Sequence, residues 1–355
     1  MNPTSETPAA LPSGTLTIEN TTWCGAHCVM CPRDEYGDKW QHMDNAFFKE
    51  VVDQGYRLGM RSLDATGFGD PFMDPKYREK LEYVKATYPD VKIYVGTTGH
   101  LLYPKHHDWI SRCIDTFKIS NYGHSAEVYK TIHGGTVEFE RVKENLTTLL
   151  ERPREERPWV IMRFLVFPEN EHQIDEWRQY WEPKADEVLI WLPHNYGGGF
   201  HRDEFDEFKG SKMEARSCGR PFQANLFVRE NGEVSVCCFD FNRKLVVGNL
   251  KQETLRDVVQ GERLKEIRDI HAAGGEAILN SNTICKDCDQ IYQRDHALLY
   301  ASNPERGVDS RVSHPEQAAA RMREPQRGSG TIPVKLIVRS NIADGTPSLP
   351  NKPVP

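Results

Sequence analysis

Six short apolar or β-branched runs, separated by segments of helical periodicity, constrain this chain more than any other feature. The runs are TLTIEN (15–20), RSLDAT (61–66), KIYVGTT (92–98), TFKIS (116–120), WVIMRFLVF (159–167) and EVLIWLP (187–193). Between them lie NAFFKEVVDQGYRLGM, PKYREKLEYVKATY, PKHHDWISRCI, TVEFERVKENLTTLLE and QIDEWRQYWE, whose apolar residues recur on one helical face. Strands that alternate with helices in this way predict an α/β fold with a parallel sheet and crossover helices. Such a sheet either curls into a partial barrel or stays open and doubly wound. In both cases ligands gather at the carboxyl ends of the strands.

The segment WCGAHCVMCPRD follows the first run and therefore lies at that end. It packs Cys24, Cys28 and Cys31 into eight residues, and the chain holds nine cysteines in all. The opening residues MNPTSETPAALPSG have neither a basic region nor an apolar core, so they do not read as a secretory signal. No stretch reaches the length of a membrane span. A cytoplasmic location is expected, where thiols stay reduced and clustered cysteines point to metal or redox chemistry. With 45 basic against 52 acidic residues the net charge is −7, and no long basic run favours nucleic acid as a partner. Structural zinc wants four ligands, commonly two CxxC pairs. Here the spacing is CxxxCxxC, and the next cysteine is Cys113. His27 is the remaining local candidate for a zinc site. The other reading is a [4Fe–4S] cluster held by three thiolates, with one iron left open.

The C-x3-C-x2-C spacing after a first strand resembles the radical S-adenosylmethionine (SAM) superfamily. The resemblance covers roughly residues 15–200 and implies a partial (β/α)6 TIM-like barrel. It also implies a cluster at Cys24, Cys28 and Cys31 whose open iron chelates SAM. Further motifs fall where that family has them. GFGDP (67–71) follows the second strand in the place of the family's GGE motif, so Gly67, Gly69 and Asp70 are candidates for holding the methionine end of SAM. A plain turn with a helix cap is the competing reading of that segment. Ser120 after the fourth strand and Arg163 within the fifth match positions that contact the ribose and carboxylate of SAM. An Arg in an apolar strand needs an anionic partner, either the ligand or a carboxylate such as Glu169. Met30 stands where the family often carries an aromatic residue, and a thioether can pack on adenine as well.

The second half accounts for most of the remaining cysteines. Cys218 precedes two strands joined by Asn231-Gly232, a hairpin signal, and Cys237 and Cys238 end that hairpin. VVGNL (246–250), a helical stretch TLRDVVQGERLKEIRDIHAA and a final CKDC with Cys285 and Cys288 follow. Four thiolates from distant segments make zinc the ordinary reading. The run GEVSVCCFD, then GNL and CxxC, resembles instead the SPASM/Twitch extension of radical SAM enzymes. That likeness implies one auxiliary [4Fe–4S] cluster at Cys218, Cys237, Cys285 and Cys288, in a small α+β unit of hairpin plus helix. Cys238 is the runner-up to Cys237, since neighbours on a strand face opposite ways. Cys113 sits in the apolar stretch WISRCI and reads as a core thiol.

The expected organisation is a loose N-terminus over 1–14, a radical SAM core over 15–210, an auxiliary-cluster domain over 211–300 and a Pro/Gly-rich tail over 301–355, with VKLIV as an apolar island. No room for a peptide-leader domain is expected before the first strand. The resemblance implies SAM cleavage to a 5′-deoxyadenosyl radical, hydrogen abstraction from a C–H bond and electron transfer to the auxiliary cluster. The initial electron would come from a donor such as flavodoxin or ferredoxin. HNYGGG, after the sixth strand, puts His194, Asn195 and Tyr196 forward as substrate-facing catalytic residues, or else as a polar glycine-rich bend. Three functions stay in view: an oxidoreductase on a small hydroxylated or amino-sugar-like molecule, a maturase of peptide side chains, and a non-enzymatic metal-binding protein.

Overall fold

The computed structural model describes residues 11, 13–32, 40–199, 214–223, 226–292 and 298–303. Most of the expected loose N-terminus and tail, the VKLIV island included, lies outside the described residues.

The six expected strands are all present: β1 (Thr15–Ile18), β2 (Ser62–Asp64), β3 (Lys92–Thr97), β4 (Thr116–Ser120), β5 (Trp159–Leu165) and β6 (Glu187–Trp191). Each pairs in parallel with the next. The crossovers carry α1 (Asn45–Arg57), α2 (Tyr77–Thr87), α3 (His107–Cys113), α4 (Ala126–His133), α5 (Phe139–Leu150) and α6 (Ile174–Trp181). One helix was expected between β4 and β5, and two are found. The additional helix, α4, starts at Ser125, whose hydroxyl accepts from the Val128 N–H, and stops at Gly134 with φ +53°.

Strand parity divides the side chains between two environments. Leu63, Val95, Phe117, Ile119, Met162 and Phe164 are fully buried and form the layer beneath the helices. The opposite parity faces the lumen of the partial barrel. There Asp64, Gly96, Lys118, Ser120, Arg163 and Leu165 line one cavity.

Strands β1 and β6 do not close on each other. β1 is flanked on its other side by β7 (Leu226–Val228) in parallel, and β6 by β10 (Leu298–Ala301) in antiparallel. The expected hairpin forms, with β8 (Glu233–Ser235) antiparallel to β7 and β9 (Val246–Asn249) beyond it. The C-terminal extension thus continues the barrel sheet edge to edge, one ten-stranded sheet in the order β10-β6-β5-β4-β3-β2-β1-β7-β8-β9. The long C-terminal helical stretch is broken at Gly261, whose extended backbone (ψ 148°) separates α7 (Leu255–Gln260) from α8 (Glu262–Ala272).

Candidate functional site

Cys24, Cys28 and Cys31 occupy the loop after β1, and all three are half-buried. The loop is bonded to the C-terminal end of α4. His27 N–H donates to His133 O at 2.7 Å and Val29 N–H to Ile132 O at 2.9 Å. The last carbonyls of a helix have no partner within it, so these bonds satisfy helix and loop together. Beyond α4, Thr136 N–H donates to Gly25 O at 2.8 Å. Gly135 permits that approach: its φ is +60°, and a Cβ there would stand 2.1 Å from Gly25 O. Sequence reasoning missed the IHGGT segment, although its two consecutive glycines after a helix were the available signal.

The His133 ring sits beneath the cysteines, fully buried. Its Nδ1 is 3.4 Å from Cys28 Sγ, and its Nε2 accepts the Tyr122 N–H at 3.1 Å. Burial pushes its pKa down to about 3, so the imidazole is neutral. Met30 packs with Tyr122, Val128, Ile132 and Phe167 and lines the adjoining cavity.

That cavity, of about 240 Å³, is lined by Cys24, Cys28 and Cys31 together with Gly67, Gly69, Asp70, Ser120, Arg163 and Tyr196. One water needs only about 10–15 Å³, so the space is ligand-sized. Ser120 and Arg163 are direct partners in the β4–β5 register. Gly69 has a task besides lining the cavity. A Cβ there would lie 2.3 Å from Thr21 O and 2.6 Å from Trp23 O, so the glycine lets the GFGDP turn touch the cysteine loop. Gly67 packs likewise against the Glu19 side chain. The Asp70 carboxylate accepts from Thr97 Oγ1 (2.8 Å), Thr98 Oγ1 (3.1 Å), Thr98 N (3.2 Å) and Phe72 N (3.1 Å). Three of these donors fall on Oδ2 and one on Oδ1. Asp70 therefore fixes the turn against the end of β3.

Deeper in the lumen lies a buried charge pair that sequence reasoning passed over, Lys118 Nζ to Asp64 Oδ2 at 3.3 Å. Both residues line the same cavity.

The expected catalytic trio separates. Tyr196 lines the cavity in a left-handed conformation (φ +48°), an uncommon backbone for a bulky residue. Burial, and next the nearby Cys31, Tyr122, Cys28 and Cys238, push its pKa well up, so the phenol keeps its proton. It therefore stands between the two cysteine sets. His194 stacks on Phe239 at 3.7 Å, and its Nδ1 accepts the Tyr196 N–H at 3.3 Å. That bond occupies the lone pair a general base would use. Asn195 is buried and serves as a latch. Its Nδ2 donates to Asp287 O at 2.8 Å, and its Oδ1 accepts from Asp289 N and Gly198 N, both at 3.1 Å. Neither His194 nor Asn195 is among the cavity-lining residues.

Cys285 and Cys288, both buried, belong to the same stretch as Asp287 and Asp289, which Asn195 grips. Cys238, Cys237, Cys218 and Cys288 lie near enough for their charges to act on the Arg220 guanidinium, which also lies 4.2 Å over the Phe239 ring. Strand alternation does not separate Cys237 from Cys238, because β8 ends at Ser235 and both cysteines lie beyond it. Phe239 N–H donates to Cys237 Sγ at 3.4 Å.

Among the described residues, no three His, Cys, Asp or Glu side chains converge closely enough to hold a single metal ion. Zinc, with Zn–S bonds of about 2.3 Å, would draw its thiolates to within about 4 Å of one another. Cys24, Cys28 and Cys31 instead line one cavity, and thiols spaced around a cavity suit a multi-iron cluster.

Fold and cysteine pattern together define a radical SAM enzyme with a cluster-binding extension. The family model for the radical SAM superfamily matches residues 18–180, and that for an iron–sulfur cluster-binding domain, SPASM, matches residues 218–289. The chain thus carries a radical SAM domain, whose chemistry requires a SAM-binding [4Fe–4S] cluster and SAM, and a SPASM domain, which implies auxiliary iron–sulfur. No curated relative matches the sequence. Its fold is similar to that of BtrN in complex with AdoMet and 2-DOIA (TM-score 0.53, 15% identity, 81% of this chain and 94% of that chain). It is also similar to Streptococcus suis SuiB bound to precursor peptide SuiA (0.56, 14%, 80% and 70%). A third similar structure is anSMEcpe with bound AdoMet and Kp18Cys peptide (0.56, 14%, 80% and 92%). Identities this low carry the fold alone. No helix among the described residues is long and apolar enough to cross a membrane.

Proposed function

We propose that this chain is a radical SAM oxidoreductase that dehydrogenates a small hydroxylated or amino-sugar-like molecule. Cys24, Cys28 and Cys31 are the ligands of the SAM-binding cluster, with residues 15–210 as its domain. Cys218, Cys285, Cys288 and one of Cys237 and Cys238 hold a single auxiliary cluster within 211–300. When bound, these groups supply a 5′-deoxyadenosyl radical to take a hydrogen atom and an acceptor for one electron. Arg163 and Ser120 hold the carboxylate and ribose of SAM, and Met30 packs its adenine.

The observation that carries the substrate reading is the Asp64–Lys118 pair. Lys118 lies two residues before Ser120, about 6.6 Å deeper along the strand. A charged pair within a ligand-sized cavity suits a compact molecule whose hydroxyl and amino groups replace water on both charges. Oxidising an alcohol to a carbonyl removes one hydrogen atom, one proton and one electron. Asp64 is the carboxylate that takes the proton. Tyr196 keeps its own proton and shields the lumen from water. The electron donor is a flavodoxin or ferredoxin of the cytoplasm.

The test is anaerobic incubation of the reconstituted chain with SAM, dithionite and a panel of aminocyclitols, sugars and peptides. Mass spectrometry follows 5′-deoxyadenosine and substrate. A small polyol that stimulates SAM cleavage and loses two hydrogens supports the reading. Stimulation by peptides alone replaces it with a maturase.

A further inference from the structure

The backbone N–H of Tyr122 lies 3.1 Å from His133 Nε2, and a backbone N–H can only donate. Nε2 is therefore an acceptor and carries no proton, so the proton of the ring sits on Nδ1. Nδ1 is 3.4 Å from Cys28 Sγ, so its N–H points its hydrogen at the sulfur. A flipped ring would set carbon atoms against both the Tyr122 N–H and the sulfur, which removes the alternative orientation. The ring is also held by its neighbours, with Tyr122 stacked at 4.9 Å and 14° and Tyr129 at 4.3 Å. The helix that carries His133 is the one whose terminal carbonyls hold the cysteine loop.

We infer that His133 is a positioning residue of the SAM-cleaving centre, its Nδ1–H···Sγ bond fixing the Cys28 thiolate and making the cluster on that loop easier to reduce. The inference rests on ligation of that cluster by Cys28, as proposed above. A donor at a ligand sulfur withdraws negative charge. The reduced cluster carries one more electron and gains more from the donor, so the potential rises. Burial strengthens the bond, because no water competes at a fully covered imidazole.

The experiment compares His133→Phe, which keeps a ring and loses the donor, with His133→Asn, whose amide nitrogen takes the place of Nδ1 and keeps it. Full-length protein is reconstituted anaerobically and titrated potentiometrically. The cluster is followed through the EPR signal that changes on addition of SAM. His133→Phe is expected to make reduction about tenfold less favourable, a shift of about 59 mV to lower potential for one electron, while His133→Asn stays near the native value. Equal shifts in both variants, or none in either, overturn the inference. If His133→Phe fails to assemble its cluster, native protein labelled with 15N-histidine provides the reading. A nitrogen coupling on the reduced cluster that His133→Asn lacks supports the bond, and its absence refutes it. Cys28→Ala separates the two failures: a SAM-responsive cluster retained there defeats the ligation, whereas an unchanged potential in His133→Phe with native iron defeats only the role of His133.

Discussion

Glu19 follows β1 and is fully buried where the GFGDP turn meets the first strand of the C-terminal hairpin. Its Oε1 accepts the Phe68 N–H at 2.7 Å, its own N–H donates to Val228 O, and Arg229 Nη1 stands 3.9 Å from Oε2. Burial, and next the charge of Glu230, push its pKa up to about 8 against the opposing pull of Arg229. Glu230 is itself paired with Arg243 at 3.3 Å, which also binds Glu233 at 2.8 Å. The native state thus retains a proton that the unfolded chain releases near the ordinary value of 4.5. The stability held by that proton is full below pH 4.5 and is lost as pH rises through 8. With these two values, proton linkage removes about 2 kcal/mol between pH 6 and pH 8. Glu19→Gln has no proton to release and keeps an oxygen for the Phe68 N–H. Thermal unfolding of the apo-protein, measured anaerobically at both pH values, is expected to show a fall of roughly 4 °C in the native chain and a much smaller one in Glu19→Gln. Equal falls in the two proteins would show that Glu19 is ionised in the fold and that the reasoning is wrong.

Arg163→Ala should weaken SAM binding about tenfold, the loss of a charge-assisted contact of roughly 1.5–3 kcal/mol, with iron content unchanged; native SAM affinity would leave Arg163 a structural role. Cys285→Ala with Cys288→Ala should retain 5′-deoxyadenosine formation and lose oxidised product, and a normal product yield from protein shown to lack the second cluster ends its redox assignment. Asn195→Ala deletes three hydrogen bonds to residues 198, 287 and 289. It should cost roughly 2–4 kcal/mol and release auxiliary iron faster to a chelator, and an iron-release rate equal to the native one refutes the latch.

The six βα units were legible because strand parity and helical periodicity are local and repeat six times. α4 was not, because eight residues give barely two turns of pattern. Its signals were present all the same, with Ser125 as a cap and Val128, Tyr129 and Ile132 on one face. That omission concealed the platform of the cysteine loop, and His133 with it. GFGDP was legible as a site segment, yet the task of its glycines was not. Gly69 answers to a backbone more than forty residues away, and nothing in the pentapeptide names that partner.

His194, Asn195 and Tyr196 pose the harder case, since three adjacent polar residues in one loop carry equal local signals. The fold assigns them to three surroundings: an aromatic stack, a latch to residues 287–289, and the cavity wall. Only long-range pairing decides among such neighbours. The lumen charges differ in kind. Arg163 drew notice as a charge within an apolar strand, and the same test applies to Lys118 in TFKIS. Once Ser120 pairs with Arg163, parity alone turns Lys118 toward the same lumen. A lysine buried there needs an anion, and RSLDAT offers Asp64 two strands away in the sheet order. The pair on which the substrate reading rests therefore follows from the register of a single pair of strands, applied to every charge of inward parity rather than to the first one noticed.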